Sequence, residues 1–418
     1  MRFLVLGSGG REHAIVRALK NSTSVSEVHA SPGSKGISAD AVCHSLDLSD
    51  EKAVTNFLKR YSFDCVVVGP ETLLAAGVSD LIRAAGVPVV GPSQVAAQLE
   101  ASKIFCKKFM LEAGVPTAKF EIVESVQATL DLAPQFTSPY VLKADGLAAG
   151  KGVVICKNLE ELRAAAEDFF DRKVFGAAGA KALLEQFQPG YEISYLILTN
   201  GSEYQSLPLA QDHKRLGDGD TGLNTGGMGT VAPYKIDAKL QEQIRELVLE
   251  PSVKHLGGTG MLYRGVLFIG LMITSEGPQV LEYNVRFGDP ETQSILPLLD
   301  GDWGLVFKSL SEGTLMPLKW KPLNVACVVM AAPGYPESAE KGVVIEGDLN
   351  AQSASSYFLH AGTDKNSDGK WVTSGGRVLN AIGVGSSPQE AIRQAYAQAE
   401  KVRWRGLQMR KDIGKAWL

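Results

Sequence analysis

Leu281-Glu282-Tyr283-Asn284-Val285-Arg286 follows the apolar run Gly265-Val266-Leu267-Phe268-Ile269-Gly270-Leu271-Met272-Ile273 and reads with it as a pair of buried strands. Side chains alternate faces along a strand, so Glu282, Asn284 and Arg286 are expected on one face, about 7 Å apart. A carboxylate, an amide oxygen and a guanidinium on one face suit a magnesium ion carrying polyphosphate. An ordinary half-exposed strand would show the same spacing, so the reading depends on what accompanies it.

Upstream, Val141-Leu142-Lys143 and Val153-Val154-Ile155 flank the glycine-rich turn Ala144-Asp145-Gly146-Leu147-Ala148-Ala149-Gly150-Lys151-Gly152 and read as an antiparallel pair. This is not a Walker loop: the spacing is one residue short, and Gly152 stands where Ser or Thr would bind magnesium. A hairpin with Lys151 can instead fold over a triphosphate, with Lys143 as a fixed charge on the strand. A surface hairpin with solvated lysines is the plainer alternative. In Leu183-Leu184-Glu185-Gln186-Phe187-Gln188-Pro189-Gly190-Tyr191-Glu192, a strand runs into a Pro-Gly turn and resumes. Freed backbone there can pair with an adenine edge and Glu192 can accept from ribose, although an ordinary hairpin also accounts for it.

The polar stretch from Gln211 to Gly229 cannot build a core and reads as a long functional loop. Asp212, His213, Lys214 and Arg215 concentrate charge at its start. Asn224-Thr225-Gly226-Gly227-Met228-Gly229 offers small residues and free amides suited to an anionic substrate or a developing oxyanion. Near the start of the chain, Gly7-Ser8-Gly9-Gly10-Arg11-Glu12-His13 joins a first strand to a first helix, where amides favour phosphate. A dinucleotide fingerprint would place a third glycine at Glu12 and an acid after the second strand, where Ser31-Pro32-Gly33 stands. A phosphate site therefore fits better than a nicotinamide site. A tight turn without ligand is the alternative.

The surrounding pattern predicts an α/β and α+β multidomain protein. Strands over 2–6, 28–30, 65–68 and 87–90 alternate with helices over 12–20, 50–61 and 74–85, giving a doubly wound parallel sheet with helices on both faces. Further helices are expected over 103–113, 160–170, 241–255 and 388–401, with later strands over 325–330, 343–345 and 377–384. Lys319-Trp320-Lys321-Pro322 reads as a linker. The chain has 418 residues, 45% hydrophobic and 21% charged, with a net charge of −4, which gives no basic footprint for nucleic acid. No apolar run approaches a membrane span, and the first apolar run is too short for a signal peptide. Five scattered cysteines fit reduced thiols in the cytoplasm, and six histidines show no metal-ligand spacing.

Together these segments resemble the ATP-grasp superfamily and, within it, the phosphoribosylamine–glycine ligases. The resemblance spans essentially the whole chain. It is carried by Gly7 to Ala14, Gly69-Pro70-Glu71, Ser102-Lys103, Lys143 to Val153, Gln211 to Arg215, Asn224 to Gly229, Glu282 to Glu291, Ala331 to Pro336, His360 to Thr363 and Thr373 to Leu379. Leu73, Leu223 and Ser34 depart from the family pattern at positions expected to touch loop shape.

The resemblance implies a Rossmann-like domain over 1–100 and an ATP-grasp core over 101–122 and 190–320. It further implies a lid subdomain over 123–189 and a small mixed β/α domain over 323–418. It implies ATP with Mg2+ (or Mn2+) held by Glu282 and Asn284, and small-molecule substrates glycine and 5-phosphoribosylamine. Lys103, Lys143, Gly146, Gly150, Lys151 and Gly152 would meet the phosphates, Glu185 and Phe187 the adenine, and Glu192 the ribose. Gly9, Gly10, Arg11, Glu71, Asp212, Lys214, Asn224, Thr225, Gly226, Gly227 and Arg286 would face the other substrates. Arg286, Lys143 and Asp212 would carry the chemistry. A stand-alone enzyme is implied, monomeric or weakly dimeric, with no nucleic-acid or membrane partner. Two readings compete: an ATP-grasp ligase or carboxylase acting on another acid, which the 211–229 segments oppose, and a non-catalytic nucleotide-binding regulator, which the joint presence of Glu282, Asn284, Lys143 and Lys151 opposes.

Overall fold

The computed structural model describes residues 1–147 and 152–417. Its first unit is a five-stranded parallel sheet ordered Val42–Cys43, Glu27–Pro32, Arg2–Gly7, Cys65–Val68, Val89–Val90. Alternation within Arg2–Gly7 feeds two cores. Leu4 and Leu6 pack with Val54, Leu58 and Ile82 on one face; Phe3 and Val5 pack with Ile15, Leu19 and Phe307 on the other. The helix Trp303–Ser311, nearly 300 residues away in sequence, thus completes the second face. The helix expected over 74–85 is two, Glu71–Ala75 and Val78–Ala84, separated at Gly77 with φ of +81°. That left-handed turn suits glycine and begins the second helix in a new direction.

Two antiparallel sheets follow. One is ordered Phe120–Val123, Ala182–Gln186, Tyr140–Ala144, Val153–Cys156, with Lys143 opposite Val153 as the sequence implies. Leu159–Phe170 buries Leu162, Ala166 and Phe169 against it. The other is ordered Tyr204–Ser206, Tyr191–Thr199, Gly265–Thr274, Gly277–Asn284. Here Gly270 pairs with Glu282 and Leu271 with Val280, so Leu281 is an extra residue in a bulge. The strand ends at Asn284, and Arg286 stands in the bend beyond it rather than on the strand. The helical stretch expected over 241–255 runs Ala238–Ile244, a π segment Arg245–Leu249, then Glu250–Gly258. Pro251 lacks an N–H and crowds the carbonyl four residues back, which accounts for the wider turn just before it.

The last five-stranded sheet is ordered Gln211–Asp212, Gly229–Ala232, Asn324–Ala331, Arg377–Gly385, Ser356–His360. Both ends of the long polar stretch are therefore strands of this sheet, and its middle is a hairpin of Arg215–Gly217 with Thr221–Asn224. Of the stretch 343–345, Val344 makes a single bridge to Val372, and the strand lies at Glu346–Gly347. Among the described residues no helix is long and apolar enough to cross a membrane.

Asp302 caps Trp303–Ser311 through the Leu305 amide (3.1 Å) and also accepts from the Ser24 amide (2.9 Å) and hydroxyl (2.7 Å). Burial opposes its charge, but these donors hold its carboxyl at about 2. A depressed acid stabilises the fold above its ordinary titration range and loses that contribution as pH falls through the folded value. Asp302→Ala is expected to cost about 1–2 kcal/mol at neutral pH. The difference from wild type in thermal melts should close as pH drops from about 4 to about 2.

Candidate active site

Glu282, Asn284 and Arg286 come together as expected, and each acquires a partner from a different element. Lys103, at the start of the helix Lys103–Ala113, sits 3.2 Å from Glu282 Oε2. Ser102 caps that helix and also donates to Asp145 Oδ1 at 2.8 Å, while the Ile104 amide donates to the same oxygen at 3.1 Å. The glycine-rich turn is thereby tied to the Lys103 helix just past Lys143. Burial works against the Glu282 charge, but Lys103, Lys214 and Lys143 outweigh it and hold the carboxyl well below the usual range. Glu282 is thus an anion facing three cations, with 38% of its side chain exposed.

Asn284 Nδ2 lies 3.5 Å from Glu282 Oε1, and its Oδ1 lies 3.4 Å from Arg286 Nη2. Two adjacent oxygen-bearing side chains suit a hard cation that keeps several waters. Both could ligate one ion after a half-turn of the Asn284 amide. Arg286 meets Glu100 Oε1 at 2.9 Å and Glu71 Oε2 at 3.5 Å. Glu100 also accepts from the Val285 amide at 2.8 Å. Glu71 reaches Arg11 Nη1 at 3.7 Å, and Arg11 Nε donates to Glu12 Oε1 at 2.6 Å. A continuous line of charge therefore runs from Lys103 to the first helix.

That line ends differently from the sequence expectation. The Gly9 amide donates to Glu12 Oε2 at 2.7 Å, so the loop's first donor is already used. The glycines make room for this carboxylate: a Cβ at Gly9 would lie 2.9 Å from Glu12 Oε2. Gly10 packs against Gln293 and Asn380. Glu12 thus fills the position where a dinucleotide fold would place glycine and phosphate.

The amides expected to be free in the Asn224 to Gly229 run are also bonded. Thr225 N donates to Lys214 O (2.8 Å), Gly226 N to Tyr335 Oη (2.9 Å), Gly227 N to Thr225 Oγ1 (3.0 Å) and Met228 N to His213 O (2.8 Å). Gly227 has φ of +112°, and a Cβ there would lie 2.5 Å from Pro290 Cδ and 2.7 Å from Asp212 Oδ1. Asn224 is exposed at the end of its hairpin strand. Lys214 pairs with Glu192, two residues that sequence reasoning assigned to different substrates. Burial pushes the Asp212 carboxyl well above its usual value, and Glu291 pushes the same way, against Lys214 and Arg377. Asp212 Oδ1 has no hydrogen-bond partner among the described residues.

Glu185 pairs with Lys143 at 2.8 Å and with Lys107 at 3.2 Å, while Phe187 lies just past the strand end. Gly146 packs on Ala178, and Gly152 O accepts from the Ala144 amide at 2.8 Å. Gly150 and Lys151 lie outside the described residues. Sequence reasoning missed Glu100, Lys107, Asp289, Glu291 and Arg377. Arg377 Nη1 donates to Asp289 O at 2.6 Å and to Gly226 O, and Ser194 Oγ donates to Glu291 Oε1 at 2.9 Å. Asp289 and Glu291 fall within the run that carries the family resemblance, but single acids next to proline give no spacing from which to read a role. Arg377 is brought in only by the C-terminal sheet.

Family models described as phosphoribosylglycinamide synthetase match residues 1–100 (N domain), 101–292 (ATP-grasp (A) domain) and 325–416 (C domain). The chain is 41% identical to the phosphoribosylamine–glycine ligase of Neisseria meningitidis serogroup A, over 99% of this chain and 98% of that one. It is also 41% identical to the Pseudomonas aeruginosa enzyme of the same name, over 99% and 97%. The crystal structure of phosphoribosylamine–glycine ligase from Thermotoga maritima superposes with a TM-score of 0.87 at 36% identity, covering 99% of this chain and all of that one. The biotin carboxylase domain of 2-oxoglutarate carboxylase from Hydrogenobacter thermophilus, solved with MgADP and bicarbonate, shares the fold at a TM-score of 0.76 and 17% identity, over 98% and 91%.

Glu100 is buried against Arg286, so neutralising it leaves Arg286 with Glu71 alone, 3.5 Å away. Glu100→Gln should lower unfolding free energy by about 3 kcal/mol, read from urea denaturation. A loss below about 1 kcal/mol would mean that Glu71 alone satisfies Arg286.

Proposed function

This chain belongs to the phosphoribosylamine–glycine ligase family, and from that premise we propose how its residues divide the work. It is an ATP-dependent ligase that joins glycine to 5-phosphoribosylamine in purine biosynthesis. In our reading the glycine carboxylate attacks the γ-phosphate of ATP to give glycyl phosphate and ADP. The amine of phosphoribosylamine then attacks the acyl carbon and releases phosphate, giving glycinamide ribonucleotide. Phosphoryl transfer depends mainly on alignment and charge neutralisation.

The observation that carries this division is the set of three lysines around Glu282, with Asn284 and Arg286 beside it. Glu282 and Asn284 would hold a magnesium or manganese ion, which when bound neutralises phosphate oxygens. Lys103 and Lys143 meet the phosphates. Gly146 to Gly152 closes over them as part of a lid, residues 123–189, against a core of 101–122 and 190–320, and excludes water that would hydrolyse the acyl phosphate. Residues 1–100 and 323–418 flank this core. Backbone at Glu185 and Phe187 receives adenine, and Glu192 the ribose. Arg286 steadies the transferring phosphoryl group.

Asp212, Lys214 and the Asn224 to Gly227 run face glycine and the amine. Because the amides of that run are engaged, we assign its contribution to side chains and to shape rather than to an amide nest. Asp212 is held protonated more readily than a surface acid, which suits a group that exchanges a proton with an amine. Gly9, Gly10, Arg11 and Glu71 face phosphoribosylamine. With the Gly9 amide already bonded to Glu12, the amides of the following helix turn are the donors left for its phosphate. The protein works in the cytoplasm as a monomer or weak dimer.

ADP release should require glycine and phosphoribosylamine together, measured by a coupled ADP assay. Turnover that persists without glycine would overturn the assignment. Glu282→Ala should slow turnover at least about a hundredfold, since one well-placed charge contributes about 3 kcal/mol at a transition state. A loss under about threefold would rule out the metal role.

A further inference from the structure

The helix Lys103–Ala113 carries Lys103 and Lys107 one turn apart, on the same side. Lys103 serves Glu282. Lys107 turns inward, is 2% exposed, and donates to Thr117 Oγ1 at 2.7 Å. Its ammonium lies 3.2 Å from Glu185 Oε2 and 5.3 Å from the Phe120 ring centre. The same Glu185 oxygen is 2.8 Å from Lys143 Nζ. Glu185 is 2% exposed, and its other oxygen has no hydrogen-bond partner among the described residues.

Two buried ammonium groups therefore share one carboxylate oxygen. Burial and the neighbouring Lys143 both push Lys107 below its ordinary value, against Glu185. Glu185 itself stays below the usual range because Lys143 and Lys107 together outweigh burial. One buried carboxylate needs one good counter-charge; a second adds repulsion between the cations. The surplus makes sense if one lysine is meant to leave. Lys143 is the candidate to move, since it stands where the strand runs out into the glycine-rich turn and its side chain is 11% exposed. Lys107 is fixed by Thr117, which is itself bonded to Val280 O at 2.7 Å.

We propose that Lys107 is a positioning residue for nucleotide binding: it is the permanent counter-charge of Glu185 and so frees Lys143 to transfer to the nucleotide phosphates. The inference rests on the reading above, in which Lys143 meets those phosphates. Without Lys107, the same transfer would leave a buried carboxylate unpaired, and nucleotide affinity would fall although Lys107 touches no nucleotide.

The test is calorimetric titration of the full-length protein with magnesium ADP, comparing wild type with Lys107→Met, Lys143→Met and the double variant Lys107→Met/Glu185→Gln. Lys143→Met and Lys107→Met should each weaken binding about tenfold or more, and the double variant, which keeps the Glu185 backbone assigned to adenine and changes only the side chain, should recover to within about threefold of wild type, because no carboxylate is left to strand. A purely structural Lys107 would lower the melting temperature of Lys107→Met without moving its affinity, and affinity within about twofold of wild type overturns the proposal. If Lys107→Met does not fold, the double variant decides: recovered affinity supports the proposal, and affinity as weak as that of Lys143→Met overturns it. Normal binding by Lys143→Met would remove the premise that this lysine meets the nucleotide, whereas weak binding by Lys143→Met with normal binding by Lys107→Met removes the Lys107 inference alone.

Discussion

The guanidinium of Arg286, held between Glu100 and Glu71, is the contact that makes one site out of separate units. Glu71 begins a short helix of the parallel-sheet unit, Glu100 precedes the Lys103 helix, and Arg286 follows the strand that carries Glu282 and Asn284. A planar guanidinium with several N–H donors meets two carboxylates and an amide oxygen at once in a fixed geometry. The second Glu100 oxygen takes the Val285 amide, so the same side chain fixes the backbone from which Arg286 projects. This node, together with the Arg11 guanidinium donating to the Phe287 carbonyl at 3.2 Å, ties the segment that presents Glu282 to the first helix.

Charge is concentrated around this node to a degree that would be costly without partners. Glu282, Glu185, Glu192 and Glu71 each face a lysine or arginine, and the cations outnumber the acids around Glu282. Buried ion pairs contribute little net stability because desolvation offsets their attraction. The presence of Lys143 and Lys103 here is better explained by what they leave ready: largely desolvated ammonium groups which can exchange a carboxylate for a phosphate without large reorganisation. The arrangement spends stability on preparedness, which is how binding sites generally differ from cores.

Much of this was legible in the chain because it obeys short-range rules. The 2-residue period of Leu281 to Asn284 placed Glu282 and Asn284 correctly, and the antiparallel pair around Lys143 followed from two apolar runs and a glycine-rich turn. The misreadings have physical causes. The 74–85 helix was split because a left-handed glycine is invisible to periodicity. The 211–229 stretch looked like open loop because the strand that closes it, Gly229–Ala232, finds its outer partner nearly a hundred residues later, in Asn324–Ala331. Glu100 and Lys107 went unread because an isolated charge on a helix normally reads as solvated; only the tertiary structure shows that one lies under Arg286 and the other under Glu185. Long-range pairing of single charges leaves no local pattern in sequence.

The engaged amides around Gly226 constrain the proposed chemistry further. An acyl phosphate collapsing under amine attack develops negative charge on its carbonyl oxygen, and many acyl-transfer sites meet that charge with free backbone N–H groups. Here Thr225, Gly226, Gly227 and Met228 have given their amides to Lys214, Tyr335, Thr225 and His213. Arg377, itself fixed by Asp289, closes the same turn through the Gly226 carbonyl. The turn is rigid and spent as a donor, so the charge must be met from outside it. In the proposed reaction the available positive groups are Lys214 and Arg286, with the metal held at Glu282 and Asn284. Rigidity of the turn then has a different use: with no side chain at Gly227, the backbone closes on Asp212, whose carboxyl burial and Glu291 push upward against Lys214 and Arg377.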